Sequence, residues 1–150
     1  MDVLVLDESF TAIGILDSYK SLIWTDRFAE YGDFEIYAAM DTDLETLLQK
    51  DRYLWMNDSE HVMMIESVKI TTDAEDGNFL TVTGKSLEAI LGRRIIWNQK
   101  EFKGSLQDAI QTMLNEAIIS PSIADRKIPN FIFKASTDTA ITSLTIDSQY

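Results

Sequence analysis

The sequence predicts an α+β, mainly β, chain: a small β-barrel-like N-terminal domain followed by a partial domain of one helix and a few strands. Three observations carry that reading. Short apolar runs, several of them alternating with period two, recur up to Thr83, the pattern of half-buried strands. Turn chemistry separates them, as in Tyr31-Gly32-Asp33 and in Ala74–Asn78. After residue 104 the period changes, and Leu106, Ala109, Ile110, Met113, Leu114, Ala117 and Ile118 form one helical stripe. The 150 residues are 45% apolar and 25% charged, so the chain is globular rather than disordered.

The elements follow in order. Val3–Leu6 is a short strand and Thr11–Leu16 a second. From Ser21 to Phe28 side chains alternate: Leu22, Trp24 and Phe28 share one face, and Ile23, Thr25 and Arg27 share the other. With Phe34–Ala39 this run makes a β-hairpin. Asp43–Gln49 makes two helical turns, capped by Asp41 or Asp43, with Leu44, Leu47 and Leu48 on one face. Tyr53–Met56 is a strand, Asn57–Glu60 a polar turn and His61–Thr72 the longest strand. Ala74–Asn78 then turns the chain into Phe79–Thr83. Many short strands at such spacing point to a small barrel or sandwich.

Gly84 ends this series. Ser86 caps a short helix, Leu87–Leu91, which Gly92 ends in a left-handed conformation. Arg93–Trp97 returns to strand. Ser105, with Asp108 three residues on, approximates a capping box for the helix 105–118, and Pro121 lies just beyond its end. Ile128–Phe133 and Ile141–Ile146 are later strands. These patterns define a barrel-like domain 1–98, with its short helix at 86–91, and an incomplete α/β segment 99–150. The helical stripe is expected to pack on the two late strands and to bury Ile110 and Leu114.

Residue usage removes whole classes of chemistry. There is no Cys, so thiol catalysis, disulfides and Cys-based metal sites are excluded. A triad would have to use His61, the single histidine, which stands at a strand start after a polar turn. Asp73–Gly77 has the acidity of a calcium loop, but Gly77 and Gly84 fall where oxygen ligands are needed. Neither GxGxxG nor GxxxxGK[ST] occurs. Acid pairs such as Asp41, Asp43 and Glu45 flank a helix start, where negative charge stabilises the dipole. No catalytic residue, metal site or cofactor is expected.

Net charge is −12, unevenly spread: residues 1–83 carry 18 acids and 5 bases, and residues 84–150 carry 7 acids and 8 bases. Phosphate contacts need clustered Lys and Arg, so neither nucleic acid nor an acidic membrane surface is an expected partner. The basic cluster Lys85, Arg93, Arg94, Lys100 and Lys103 is interleaved with Trp97 and Phe102 and diluted by Glu88 and Glu101. It reads as an interface or a solvated face. Glu66 falls on the same strand face as Val62, Met64, Val68 and Ile70. A β-bulge turns it to solvent, or a cation such as Arg27 or Arg52 meets it.

Two segments resemble a known family. Val82-Thr83-Gly84-Lys85-Ser86-Leu87-Glu88 and the following Ala89-Ile90-Leu91-Gly92-Arg93-Arg94-Ile95-Ile96-Trp97 are similar to an element of siphophage and prophage tail-tip hub proteins. That element runs strand, G-[RK]-S-L-E, short helix, R-R-I-I. Ile15-Leu16-Asp17-Ser18-Tyr19-Lys20-Ser21-Leu22-Ile23-Trp24, then Arg27-Phe28 and Tyr31-Gly32-Asp33-Phe34-Glu35-Ile36, resembles the family's opening hairpin. The resemblance implies a hub-type β-barrel, a homo-trimer when full length, and docking on the distal tail protein ring beside other tail-tip proteins. It implies a structural, non-catalytic part of the virion tail, assembled in the bacterial cytoplasm. Lys85, Glu88, Arg93, Arg94 and Trp97 are the expected interface. Family members continue for hundreds of residues, so the chain reads as the N-terminal part of a longer protein. Two other readings stay open here: the anchoring domain of a larger tail-associated cell-wall hydrolase, and a β-rich binding module using exposed Trp24, Trp55 or Trp97.

Overall fold

A computed structural model describes residues 2–73, 77–96, 100–135 and 140–146. The chain forms two compact units, residues 1–90 and 91–150, each described by itself.

In the first unit the period-two runs become strands β1 (Val3–Leu6), β2 (Ala12–Leu16), β3 (Ser21–Thr25), β4 (Asp33–Ala39), β5 (Tyr53–Met56), β6 (Val62–Asp73) and β7 (Gly77–Ser86). They make one antiparallel sheet in the order β2-β1-β5-β6-β7-β4-β3. The expected barrel is therefore corrected, because β2 and β3 are both edges and no ladder joins them. The sheet nevertheless curls. Seven flat strands would hold their edges about 29 Å apart. Only residues 17–20 connect β2 to β3, and five Cα steps reach at most about 18 Å. Alternation then assigns the concave face, where Val3, Val5, Leu16, Phe34, Ile36, Leu54, Met63, Ile65, Leu80 and Val82 are buried.

Helix α1 (Thr42–Leu47) contributes to this core. Asp41 is its N-cap, accepting a hydrogen bond from the Asp43 N–H. Leu48 at its end is fully buried, and Leu44 and Leu47 pack against the cluster. Arg52 donates to the Thr46 and Leu47 carbonyls, which the helix end leaves without intrahelical partners.

Strands β6 and β7 slip register between Ile65 and Ser67, so Ile65 faces Gly84, Ser67 faces Thr83, and Glu66 is the extra residue. The bulge thus re-aims Glu66 from the buried face, one of its two expected outcomes. Gly84 does not end a strand, since β7 runs through it to Ser86. Phe28 lies outside β3, which stops at Thr25, and is fully exposed in the loop that follows.

In the second unit, strands β8 (Lys100–Ser105) and β9 (Ala140–Ile146) pair antiparallel. Helix α2 (Leu106–Leu114) begins at Ser105, whose Oγ accepts from the Gln107 N–H. A π-helical turn, Asn115–Ile119, continues it. Ala109 and Ile118 are buried while Ile110 and Leu114 are only half-buried, a correction to the expected pair. The expected strand Ile128–Phe133 is not one. Its residues join no strand ladder, Asn130 has a positive φ of 59°, and Ile132 is exposed.

Two stability measurements check these assignments. A Cβ built on Gly84 would stand 1.9 Å from the Met64 carbonyl oxygen and 2.7 Å from the Phe34 ring. Gly84→Ala should therefore cost about 3 kcal/mol or more in urea unfolding, because the nearest obstacle is backbone. Ile118→Ala should cost roughly 2–4 kcal/mol and Leu114→Ala distinctly less. Equal losses at the two positions would contradict the deeper burial of Ile118.

Candidate functional site

The two motif segments come together. In the β4–β7 ladder Asp33 faces Lys85, Phe34 faces Gly84 and Glu35 faces Thr83. Alternation points Phe34 inward and leaves Asp33 and Glu35 on the outer face. Gly32 and Ser86 exchange two hydrogen bonds: the Gly32 N–H donates to Ser86 Oγ at 2.8 Å, and the Ser86 N–H donates to the Gly32 carbonyl at 3.0 Å. Ser86 is fully buried, and its hydroxyl satisfies a backbone donor 54 residues away, where the sequence suggested a cap for the next helix. A Cβ on Gly32 would lie 2.4 Å from the Thr25 carbonyl oxygen, so glycine is needed for that approach.

Charged groups fasten the same junction from outside. Lys85 Nζ sits 4.7 Å from the centre of the Tyr31 ring, within cation–π range. Arg27 Nη1 pairs with Asp33 Oδ2 at 2.6 Å and donates to the Tyr31 carbonyl at 3.1 Å. Beyond β7 the chain enters a 3₁₀ helix, Leu87–Arg93, which brings Glu88 to His61. Glu88 Oε1 lies 2.8 Å from His61 Nδ1. Ser86 also hydrogen-bonds Glu88. Since the carboxylate only accepts, the order is Gly32 N–H to Ser86 O–H to Glu88, with His61 donating from the other side. The carboxylate stands between hydroxyl and imidazole, whereas a nucleophile–base pair needs imidazole next to hydroxyl.

The pair alters both titrations. The hydrogen bond that His61 donates to Glu88 raises its pKa above the ordinary 6.5, burial opposes the rise, and the charges of Glu88, Asp26 and Glu60 add to it. Partial burial pushes Glu88 up, but hydrogen bonds from Ser86, its own backbone and His61 outweigh it and hold the carboxyl below its ordinary 4.5.

Of the expected interface residues, Lys85 and Glu88 are neighbours at this junction. Lys85 also borders an open groove of about 400 Å³ whose lining includes Ile23, Glu35, Glu66 and Thr83. Arg93 and Arg94 belong to the second unit and do not lie on a strand, because the 3₁₀ helix continues through Gly92 to Arg93. Gly92 therefore does not end a helix in a left-handed conformation. Arg94 folds onto its own unit, donating to the Arg126 carbonyl at 3.1 Å and the Arg93 carbonyl at 3.0 Å. Trp97 lies outside the described residues, as do Ala74, Glu75 and Asp76 of the acidic turn. Trp24 and Trp55 are half-buried, and Trp24 packs on the core 6.1 Å from Phe34, which removes it from a set of exposed tryptophans. Among the described residues no group of three or more His, Asp or Glu is placed to hold a metal ion. The link from Glu88 to His61 and the bond from Gly32 to Ser86 had no signal in spacing, since both cross long stretches of chain.

Residues 2–149 match the family described as Siphovirus ReqiPepy6 Gp37-like protein. No curated protein sequence matches the chain. Among solved structures, the fold is similar to that of the prophage tail protein gp18 from Listeria monocytogenes EGD-e, with a TM-score of 0.58 at 13% identity. The match covers 83% of this chain and 38% of that one, so this chain spans well under half the length of that relative.

The single histidine makes the Glu88 link directly measurable. His61 is raised in the fold, so its stabilisation is complete below the unfolded value near 6.5 and is lost as pH rises through the folded one. Glu88 is lowered, so its share is present above 4.5 and is lost as pH falls through its folded value. The pair should stabilise most between these limits, by less than about 1 kcal/mol because both groups are partly solvated. In an NMR titration Glu88→Gln should bring the His61 pKa down towards 6.5. Its stability deficit should be larger at pH 5.5 than at pH 8, and an unchanged His61 titration would contradict the pairing.

Proposed function

Because the chain belongs to the Siphovirus ReqiPepy6 Gp37-like family, a siphophage tail family, we propose that it is a non-catalytic structural part of a tail tip or baseplate hub. In this reading it docks on the ring of distal tail protein beside other tail-tip proteins, and the full-length protein is a homo-trimer in the virion tail. The match over residues 2–149 carries the proposal. The clamp between the two motifs supports it. A docking part must hold its surface in one geometry under load, and here buried hydrogen bonds and a cation–π contact fix one hairpin to the end of β7, while an ion pair braces the hairpin's own loop. The placement of Glu88 between Ser86 and His61 supports a structural use of those residues as well.

The test is co-sedimentation with the distal tail protein from the same tail gene cluster. The chain should bind that ring, and the full-length protein should sediment as a trimer. The chain alone should leave peptidoglycan intact. A full-length protein that stays monomeric and ignores the ring would overturn the hub assignment.

A further inference from the structure

The loop between β3 and β4 is tied on both sides of its exposed tip, Phe28-Ala29-Glu30. Trp24 Nε1 and Ser59 Oγ both donate to Asp26 Oδ1, at 3.1 and 3.0 Å. Arg27 holds Asp33 and the Tyr31 carbonyl, Lys85 covers Tyr31, and Gly32 is bound to Ser86. Phe28, at the centre, is fully exposed, and Tyr31 and Ile23 nearby are also exposed. An ordered loop that presents a bare phenylalanine has already lost the conformational freedom that docking would otherwise cost, and aromatic anchors dominate interface energies.

The second unit carries a surface of opposite character. Arg94 donates to the Arg126 carbonyl and Arg126 Nη2 donates to the Ile95 carbonyl at 3.3 Å, which fastens the segment around Ile95 to the turn 123–127. These two segments expose Leu91, Ile95 and Ile123 beside Arg93, Lys127 and Asp125. Charge divides the same way: residues 1–90 hold 19 acids and 6 bases, and residues 91–150 hold 6 acids and 7 bases. We propose that the Phe28 loop of one copy docks on the Ile95–Ile123 surface of a second copy. The contact is heterologous, first unit to second unit, and closes a ring if its rotation allows. This rests on the assembly reading above and names the surfaces that would carry it.

The experiment is sedimentation of the 150-residue chain from micromolar to submillimolar concentration, at low and high salt. Wild type should self-associate, more weakly at high salt, since complementary charge assists the contact. Phe28→Ser should weaken association by at least about tenfold with an unchanged melting temperature, because the ring contacts nothing in its own fold. Ile123→Asp, at an exposed turn position, should do the same. Mixing the two variants should restore one productive contact per pair and give a heterodimer. A wild type that stays monomeric, association indifferent to Phe28→Ser, or a mixture that fails to pair would each overturn the inference. None of those results touches ring docking, which is measured separately with the distal tail protein.

Discussion

The fold turns on one missing atom. At Gly84 three strands crowd together, and the Met64 carbonyl oxygen and the Phe34 ring occupy the space where any other residue would place its Cβ. That approach coincides with the bulge at Glu66, where two residues of β6 oppose one residue of β7. The bulge preserves the inward direction of Met63 and Ile65 on one side and of Val68 on the other, while Glu66 escapes the core. Without it, β6 would carry either a buried carboxylate or a half-strand of inverted side chains, since a one-residue slip exchanges the faces of a sheet. Bulges also increase local twist, which suits a sheet whose edges must be bridged by four residues.

From that point the motif reads outward as a series of distinct jobs. Gly84 permits contact, Lys85 covers Tyr31 on the outside, and Ser86 satisfies Gly32 on the inside. Glu88 then secures the turn that carries His61. The partners Tyr31, Gly32, Asp33 and Phe34 lie in the other motif segment, so the two stretches are a single clamp written in two places. A buried hydroxyl between two partners is costly to disturb, because a substitution that removes it leaves the Gly32 N–H without its acceptor.

Much of the strand sequence was legible because alternation reports burial directly. β1, β4, β5 and β6 match their apolar patterns within about two residues, as does the cap Asp41. Long-range closure was not legible. Whether seven strands make a barrel depends on a ladder between β2 and β3 that no local pattern encodes, and the sheet remains open. β8 was missed because Lys100, Glu101, Lys103 and Gly104 give it no apolar face, its strand state being set by pairing with β9. Ile128–Phe133 failed for the opposite reason: it has strand composition and no partner strand. At the site, residue types were readable and their pairings were not. Ser86 resembled a helix cap, but its hydroxyl serves Gly32 and the Glu88 carboxylate, and the approach of Gly32 is a tertiary event.

Charge partition limits how such a chain can meet its own copies. Residues 1–90 hold all of the net negative charge, 19 acids against 6 bases, so two first units placed face to face would set like charges together. At physiological salt the repulsion is screened beyond about 8 Å, which leaves it strongest at contact distance, where an interface forms. An isologous dimer through the first unit repeats each carboxylate opposite its twin surface and gains no compensation. A heterologous contact sets the acidic unit against one with a small positive balance, and it leaves the same two surfaces open at either end for the next copy. For a chain of this composition, contact of first unit with second unit is therefore electrostatically better matched than contact of first unit with first unit.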